Sequence, residues 1–248
     1  MISNLFEAID KFQNQLLKAF LETLEMLVFA MIITFIIGII IGFILYVTGS
    51  DGIYKNKPIY FIFSTIVNIT RSIPFILLII VLIPVTRFII GTGFGVNASK
   101  ISLSLIGIAT FARLSEQSLL GVNKDIYETS YALGANTFQY FKDFLLKESR
   151  QSLMLSFTST TISLISYSTV MGVIGGGGLG YLAISEGYQN FNYSLMWVII
   201  IMMIIIVQLV QTIGTTISTK LDENSGVNYE KNIISFSFIY FRRTTCCM

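Results

Sequence analysis

The chain has 248 residues, 54% of them hydrophobic and 12% charged, with a mean hydropathy of +0.75. That balance excludes a soluble globular domain and makes lipid the main solvent. A net charge of +2 with scattered Lys and Arg excludes a nucleic-acid binder, the absence of histidine excludes histidine-based catalysis, and the adjacent Cys246 and Cys247 offer no disulfide framework and no metal-ligand spacing.

The first predicted element, residues 1–25, places Leu5, Phe6, Ile9, Phe12, Leu16, Phe20 and Leu24 on one helical stripe, with Glu7, Asp10, Lys11, Lys18 and Glu25 largely off it. It reads as an interfacial amphipathic helix. Met26 to Val47 is continuously apolar and matches the roughly 20 residues needed to cross a bilayer core. Gly38 and Gly42 form a small-xxx-small face there that admits a close neighbour. Thr48 to Lys57 is a loop, and Ile59 to Ile69 reads as an interfacial helix or the tilted start of the second span. In Arg71-Ser72-Ile73-Pro74, Ser72 is expected to cap a helix and Pro74 to lie in its first turn. The second span then runs from about Pro74 to Ile90, and after a glycine turn the third covers about Val96 to Leu114.

Between the third and fourth spans lies a polar, helix-coded loop, residues 121–150. Asp125 and Glu128 have capping-box spacing, so a helix is predicted from Ile126. Gly134 is placed to end it in the left-handed conformation, and Thr137 to cap a second short helix carrying Phe138, Phe141, Phe144 and Leu145. Two short helices joined at a glycine make a knob, either a docking site for a water-soluble partner or a hairpin packed on the bundle end. The fourth span, about Leu153 to Ile174, carries Ser159, Thr160, Ser163, Ser166, Tyr167, Ser168 and Thr169. They either line a path for a polar solute or bond back to their own helix. Gly175 to Gly180 form a break, read as a flexible lip of that path or as a turn, and the fifth span fills about Ser194 to Ile217.

Five spans put the termini on opposite sides of the membrane. With the loop on the cytoplasmic side, that side holds Lys55, Lys57, Lys124, Lys142, Lys147, Arg150 and Lys220 against Lys11, Lys18, Arg87 and Lys100 opposite. The basic bias therefore predicts the N-terminus outside and the C-terminus inside. Arg71 is expected to meet acidic groups or lipid phosphate near the cytoplasmic face. The segment 222–248 is an atypical tail whose apolar run is too short to span. The predicted span interiors lack acidic residues and no phosphate-binding loop is present, so energy for uphill transport must come from a partner.

Glu128-Thr-Ser-x-x-x-Gly134, then nine residues, then Phe144-x-Leu146 resembles the Glu-Ala-Ala loop of binding-protein-dependent ABC importer permeases. Thr129 and Ser130 replace the two alanines, and Lys147 replaces a proline. Asn68-Ile-Thr-Arg71-Ser-Ile-Pro-Phe75, Ile83-Pro-Val-Thr-Arg87 and Gly172-Val-Ile-Gly-Gly-Gly-Gly-Leu-Gly180 with Gly187-Tyr-Gln-x-Phe191 resemble methionine importer permeases, over about residues 20–220. Tyr181 and Ser185 depart from the Asp and Arg of that pattern.

The resemblance implies an all-α type I ABC importer permease fold of about five transmembrane helices in a bacterial cytoplasmic membrane. It implies two copies of the chain, two ABC ATPase subunits and an extracytoplasmic methionine-binding protein. No cofactor is expected on this chain, since ATP and Mg would sit on the ATPase. The coupling residues implied are Asp125, Glu128, Thr129, Ser130, Gly134, Phe144 and Leu146. The pathway or gate residues are Ser163, Ser166, Tyr167, Ser168, Met171, Gly175, Gly176, Gly177, Gly178 and Gly180, with Arg71 and Pro74 as structural motif residues. A permease for another small solute keeps the same loop, and a passive channel or structural membrane subunit remains the reading that needs no ATPase.

Overall fold

The computed structural model describes residues 2–50, 52, 54–123 and 125–221, and within these the regular structure is helical. The predicted tail at 222–248 lies outside the described residues.

Helix α1 (Ile2–Thr48) runs for 47 residues without a break. The amphipathic segment and the first span are therefore one helix, because no proline, glycine or capping residue interrupts the chain near Met26. At 1.5 Å per residue it is about 70 Å long, well beyond the bilayer core. Along Val28, Ile32, Ile36 and Ile40 it leaves a stripe of exposed apolar side chains, the composition expected of a surface facing lipid.

The second predicted span is two helices, α2 (Lys57–Ser72) and α3 (Phe75–Ile90), bent by 115° at the break. Ile73 is extended, as the residue before a proline prefers to be. Pro74 is the N-cap of α3 rather than a first-turn residue, and Ser72 ends α2 with its hydroxyl bonded to the Asn68 carbonyl. Asn56 caps the start of α2 instead, accepting from Ile59 N–H. Ile59 to Ile69 is thus its own helix, not the start of α3.

Helix α4 (Val96–Leu120) continues past the predicted end of the third span, and 14 of its 25 residues are buried. A helix enclosed by others needs close packing more than a greasy surface. That explains how Lys100, Arg113, Glu116 and several serines are accommodated on it. Gly38 and Gly42 lie directly against it: a Cβ on Gly42 would meet Ser115 Cβ at 2.6 Å and the Ala112 carbonyl oxygen at 2.9 Å. The Gly-x-x-x-Gly expectation is met by a neighbour within the same chain.

Helix α5 (Asp125–Ala132) and helix α6 (Thr137–Val173) follow, with a widened turn in α6 over Tyr140–Leu145. The predicted second short helix is thus continuous with the helix of the fourth span, ahead of its membrane-crossing part. Helix α7 (Gly178–Gln189) leaves α6 at 44° and was not expected as a separate element. Helix α8 (Tyr193–Leu221) closes the bundle, with an outer face of exposed Ile204, Ile205, Leu209 and Ile213.

Contacts fix the direction of each pass. Tyr46 near the end of α1 meets Tyr140 near the start of α6, and Ser218 near the end of α8 meets Gln151. At the opposite end, Glu22 meets Gly178 and Gly95 meets Gly175. Five passes therefore alternate in direction, counting α2 and α3 as one broken pass. The central core joins Met26, Leu27 and Ala30 of α1 to Ile79, Leu103, Leu164 and Ile165 from α3, α4 and α6.

Candidate functional site

At one end of the bundle α5 and the start of α6 form the knob. Its first turn is held by Asn123, whose side-chain oxygen accepts from Asp125 N–H while its amide donates to the Asp125 carboxylate. Asp125 is the first residue inside α5 rather than a flanking cap. Gly134 adopts φ +73°, with its N–H donating to the Tyr131 carbonyl and the following Ala135 N–H to the Ser130 carbonyl. This is the paired bonding of a Schellman termination. Asn136, not Thr137, caps α6, in a reciprocal box with Gln139.

The knob is seated rather than hanging. The Tyr46 and Tyr140 hydroxyls lie 2.9 Å apart, and the Phe43 and Phe141 ring centroids 3.8 Å apart. Burial first, and then the bond to Tyr46, push the Tyr140 phenol above its ordinary pKa. Phe144 and Leu146 pack partly buried into the cluster around Leu119, Tyr140, Leu145 and Leu153. Ser130 is buried, with its hydroxyl bonded to the Tyr127 carbonyl.

Of the coupling residues expected from sequence, Asp125, Glu128, Thr129 and Gly134 are exposed, whereas Ser130, Phe144 and Leu146 form the knob's internal support. The outward apolar surface comes from Tyr131, Leu133 and Phe138, 75%, 71% and 69% exposed. Large apolar side chains displayed together mark a surface for a protein partner or a membrane.

At the opposite end the glycine run is a clamped junction. Gly178 N–H donates to the Glu22 carboxylate at 2.9 Å and Leu179 N–H to the Thr23 hydroxyl at 2.8 Å, so α1 supplies both bonds to the start of α7. Ser99 donates to the Gly176 carbonyl. Gly175, Gly177 and Gly178 have positive φ, and Gly180 lies against the Thr169 backbone where a Cβ would approach to 2.5 Å. These glycines serve tight turning and close approach, and the predicted flexible lip is a packed turn.

The hydroxyl-rich stretch of α6 divides among several surroundings. Ser168 and Met171 are buried in the core. Ser166 faces an apolar groove between α6, α7 and α8, together with Thr169. Ser163 is partly exposed, and Tyr167 stacks on Phe75 with ring centroids 4.3 Å apart. The hydroxyls of Ser163, Ser166, Ser168 and Thr169 all bond back to carbonyls of their own helix. Tyr167 also lines a cavity at the α2–α3 break with Arg71 and Pro74.

Residues 37–223 match the family described as the binding-protein-dependent transport system inner membrane component. This chain belongs to that family. The permease is 37% identical over 207 residues to the probable D-methionine transport system permease protein MetI of Vibrio cholerae, a match covering 84% of this chain and 92% of the relative. It is also 37% identical over 180 residues to the methionine import system permease protein MetP of Bacillus subtilis, covering 73% and 81% of the two chains. Among solved structures it is similar to an inward-facing conformation of the MetNI methionine ABC transporter, with a TM-score of 0.81 and 36% identity over 83% of this chain and 95% of that one. A crystal structure of an amino acid ABC transporter shares the fold, with a TM-score of 0.71 at 16% identity.

The all-α fold is thus that of a type I importer permease, a multi-pass inner-membrane transport component rather than an enzyme. Three features of this permease escaped the sequence reading: the Tyr131, Leu133 and Phe138 tip, the Asn136 cap, and the clamp from Glu22 and Thr23. The tip had a readable signal in apolar residues within an otherwise polar loop. The clamp had none, since its partners are 156 positions apart in the chain.

Proposed function

We propose that this permease is the membrane subunit of an ATP-driven methionine importer, working as two copies with two ATPase subunits and an extracytoplasmic methionine-binding protein. The observation that carries the coupling is the knob: a capped, Schellman-terminated helix pair, seated on α1 and presenting Tyr131, Leu133 and Phe138 outward. The ATPase receives this tip in a groove and holds the ATP and Mg. Asp125, Glu128 and Thr129 edge the contact, while Ser130, Phe144 and Leu146 keep its shape.

Closure of the two ATPases brings the two knobs together. Because the start of α6 is part of the knob, the displacement passes directly into that pass of the bundle, and the pathway between the two copies alternates its opening. Ser163 and Tyr167 face that pathway, and Ser168 and Met171 support it from the core. The knob is on the cytoplasmic side, consistent with the basic residues at that end.

The substrate reading is supported by the names of relatives that match over 92% and 81% of their length. Uptake of radiolabelled methionine by proteoliposomes containing the permease, its ATPase and its binding protein tests it. ATP-dependent accumulation, competed by unlabelled methionine, is expected. Accumulation competed only by a different solute overturns the substrate, and uptake that needs no ATPase overturns the coupling.

A further inference from the structure

We propose that the cavity at the break between α2 and α3 is a station on the pathway, where Arg71 takes the carboxylate of a passing amino acid. The inference rests on the amino-acid reading above and adds a site to it. The cavity holds about 460 Å³, and its lining includes the polar Arg71, Thr110 and Tyr167 and the apolar Phe75, Leu78 and Ile106. That volume lies within the range of small-molecule sites.

Among the described residues, Arg71 has no ion-pair or hydrogen-bond partner, and neither the Thr110 nor the Tyr167 hydroxyl is hydrogen-bonded. Three donor-bearing residues thus line one space, with no acceptor for them among the described residues. The Tyr167 ring is fixed by its stack on Phe75, which points to a kept position rather than an idle one.

Depth argues against a lipid headgroup as the occupant. Thr110 lies about 15 Å from the knob end of α4 and about 21 Å from its other end, at 1.5 Å per residue. The cavity is therefore near mid-bundle, where a charged side chain is costly unless it faces a polar space with a function.

The rest of an amino acid also finds partners here. Thr70 lines the cavity, and Pro74, which has no N–H, cannot bond the Thr70 carbonyl four residues earlier, an acceptor that suits an ammonium group. Leu78 and Ile106 form an apolar wall, and the Phe75 and Tyr167 rings offer the aromatic surface that a thioether favours.

The test uses the assembled transporter in proteoliposomes, with Cys246→Ser, Cys247→Ser and Ser72→Cys in the permease, Ser72 lining the cavity without a role assigned toward the solute, and follows modification of the introduced thiol by a small methanethiosulfonate reagent. Retained methionine uptake establishes that this variant is folded. Methionine and norleucine are expected to slow labelling at least threefold, while methioninol, which lacks the carboxylate, does not. Arg71→Gln is expected to abolish the protection and Arg71→Lys to keep part of it.

Equal protection by methioninol, protection that survives Arg71→Gln, or protection that follows anionic lipid content rather than solute overturns the proposal. Methionine uptake with no protection at all overturns this station alone, whereas absence of methionine uptake in the unmodified transporter overturns the substrate reading and this inference with it.

Discussion

Truncating Leu133 and Phe138 to alanine separates a docking surface from a merely packed hairpin. The two side chains are 71% and 69% exposed, so most of their area is available to a partner. Full burial of such a side chain is worth about 1.5–3 kcal/mol, which scales to about 1–2 kcal/mol for the area exposed here. The double substitution therefore removes about 2–4 kcal/mol of docking energy, or roughly 30- to 700-fold in affinity. Thermal stability of the permease itself should change little, because neither residue belongs to the buried cluster of the knob. Titration of labelled ATPase subunit into permease held in nanodiscs gives the affinity, and a melting curve on the same sample gives the stability. Phe141→Ala is the contrasting control: it removes a ring packed against Phe43 and should lower the melting temperature. An ATPase Kd within threefold of wild type for the double variant refutes the tip as the docking surface.

The remaining predictions concern the frame. Gly134→Ala meets nothing within 4 Å, so its cost is the left-handed backbone alone, about 1–2 kcal/mol. Alanine and leucine there should impair ATP-dependent uptake alike and Gly134→Asn much less; an effect graded by side-chain size would contradict that account. Gly42→Val drives branched carbon into Ser115 and the Ala112 carbonyl, and should cost about 1–3 kcal/mol or more, seen as a lower melting temperature in detergent. The raised Tyr140 pKa means that its contribution to stability is fully present below the unfolded value of about 10 and is lost as pH rises through the folded value. Tyrosinate absorbance should show one late-titrating group that Tyr140→Phe removes.

Helix α1 links the two ends of the molecule. Near its C-terminal end Phe43 and Tyr46 hold the knob, and near its middle Glu22 and Thr23 hold the start of α7. About 36 Å of uninterrupted helix lies between Glu22 and Tyr46. Between these two points Gly38 and Gly42 lock the same helix to α4. A displacement of the knob therefore cannot be absorbed locally, and both ends must move with the α1–α4 pair or break named contacts.

What the sequence made legible follows the range of the interactions involved. Apolar runs and local punctuation depend on neighbours a few residues away, so the five passes, the Gly134 termination and the Gly38–Gly42 approach were readable. The bend at Ile73-Pro74 was half readable, since proline fixes its own φ and restrains Ile73 but says nothing about the 115° between helices. Orientation of side chains around α6 was not readable. A helix rich in hydroxyls at many angular positions has no single polar face, and only packing against α3, α4 and α8 sends Ser168 inward, Ser166 to the apolar groove and Tyr167 to the cavity. The glycine run misled for a related reason. Glycine permits both flexibility and close approach, and what decides between them is the presence of distant acceptors such as Glu22 and Thr23. A glycine-rich break in a membrane chain is therefore uninformative about motion until its backbone donors have been traced, and here they lead to α1.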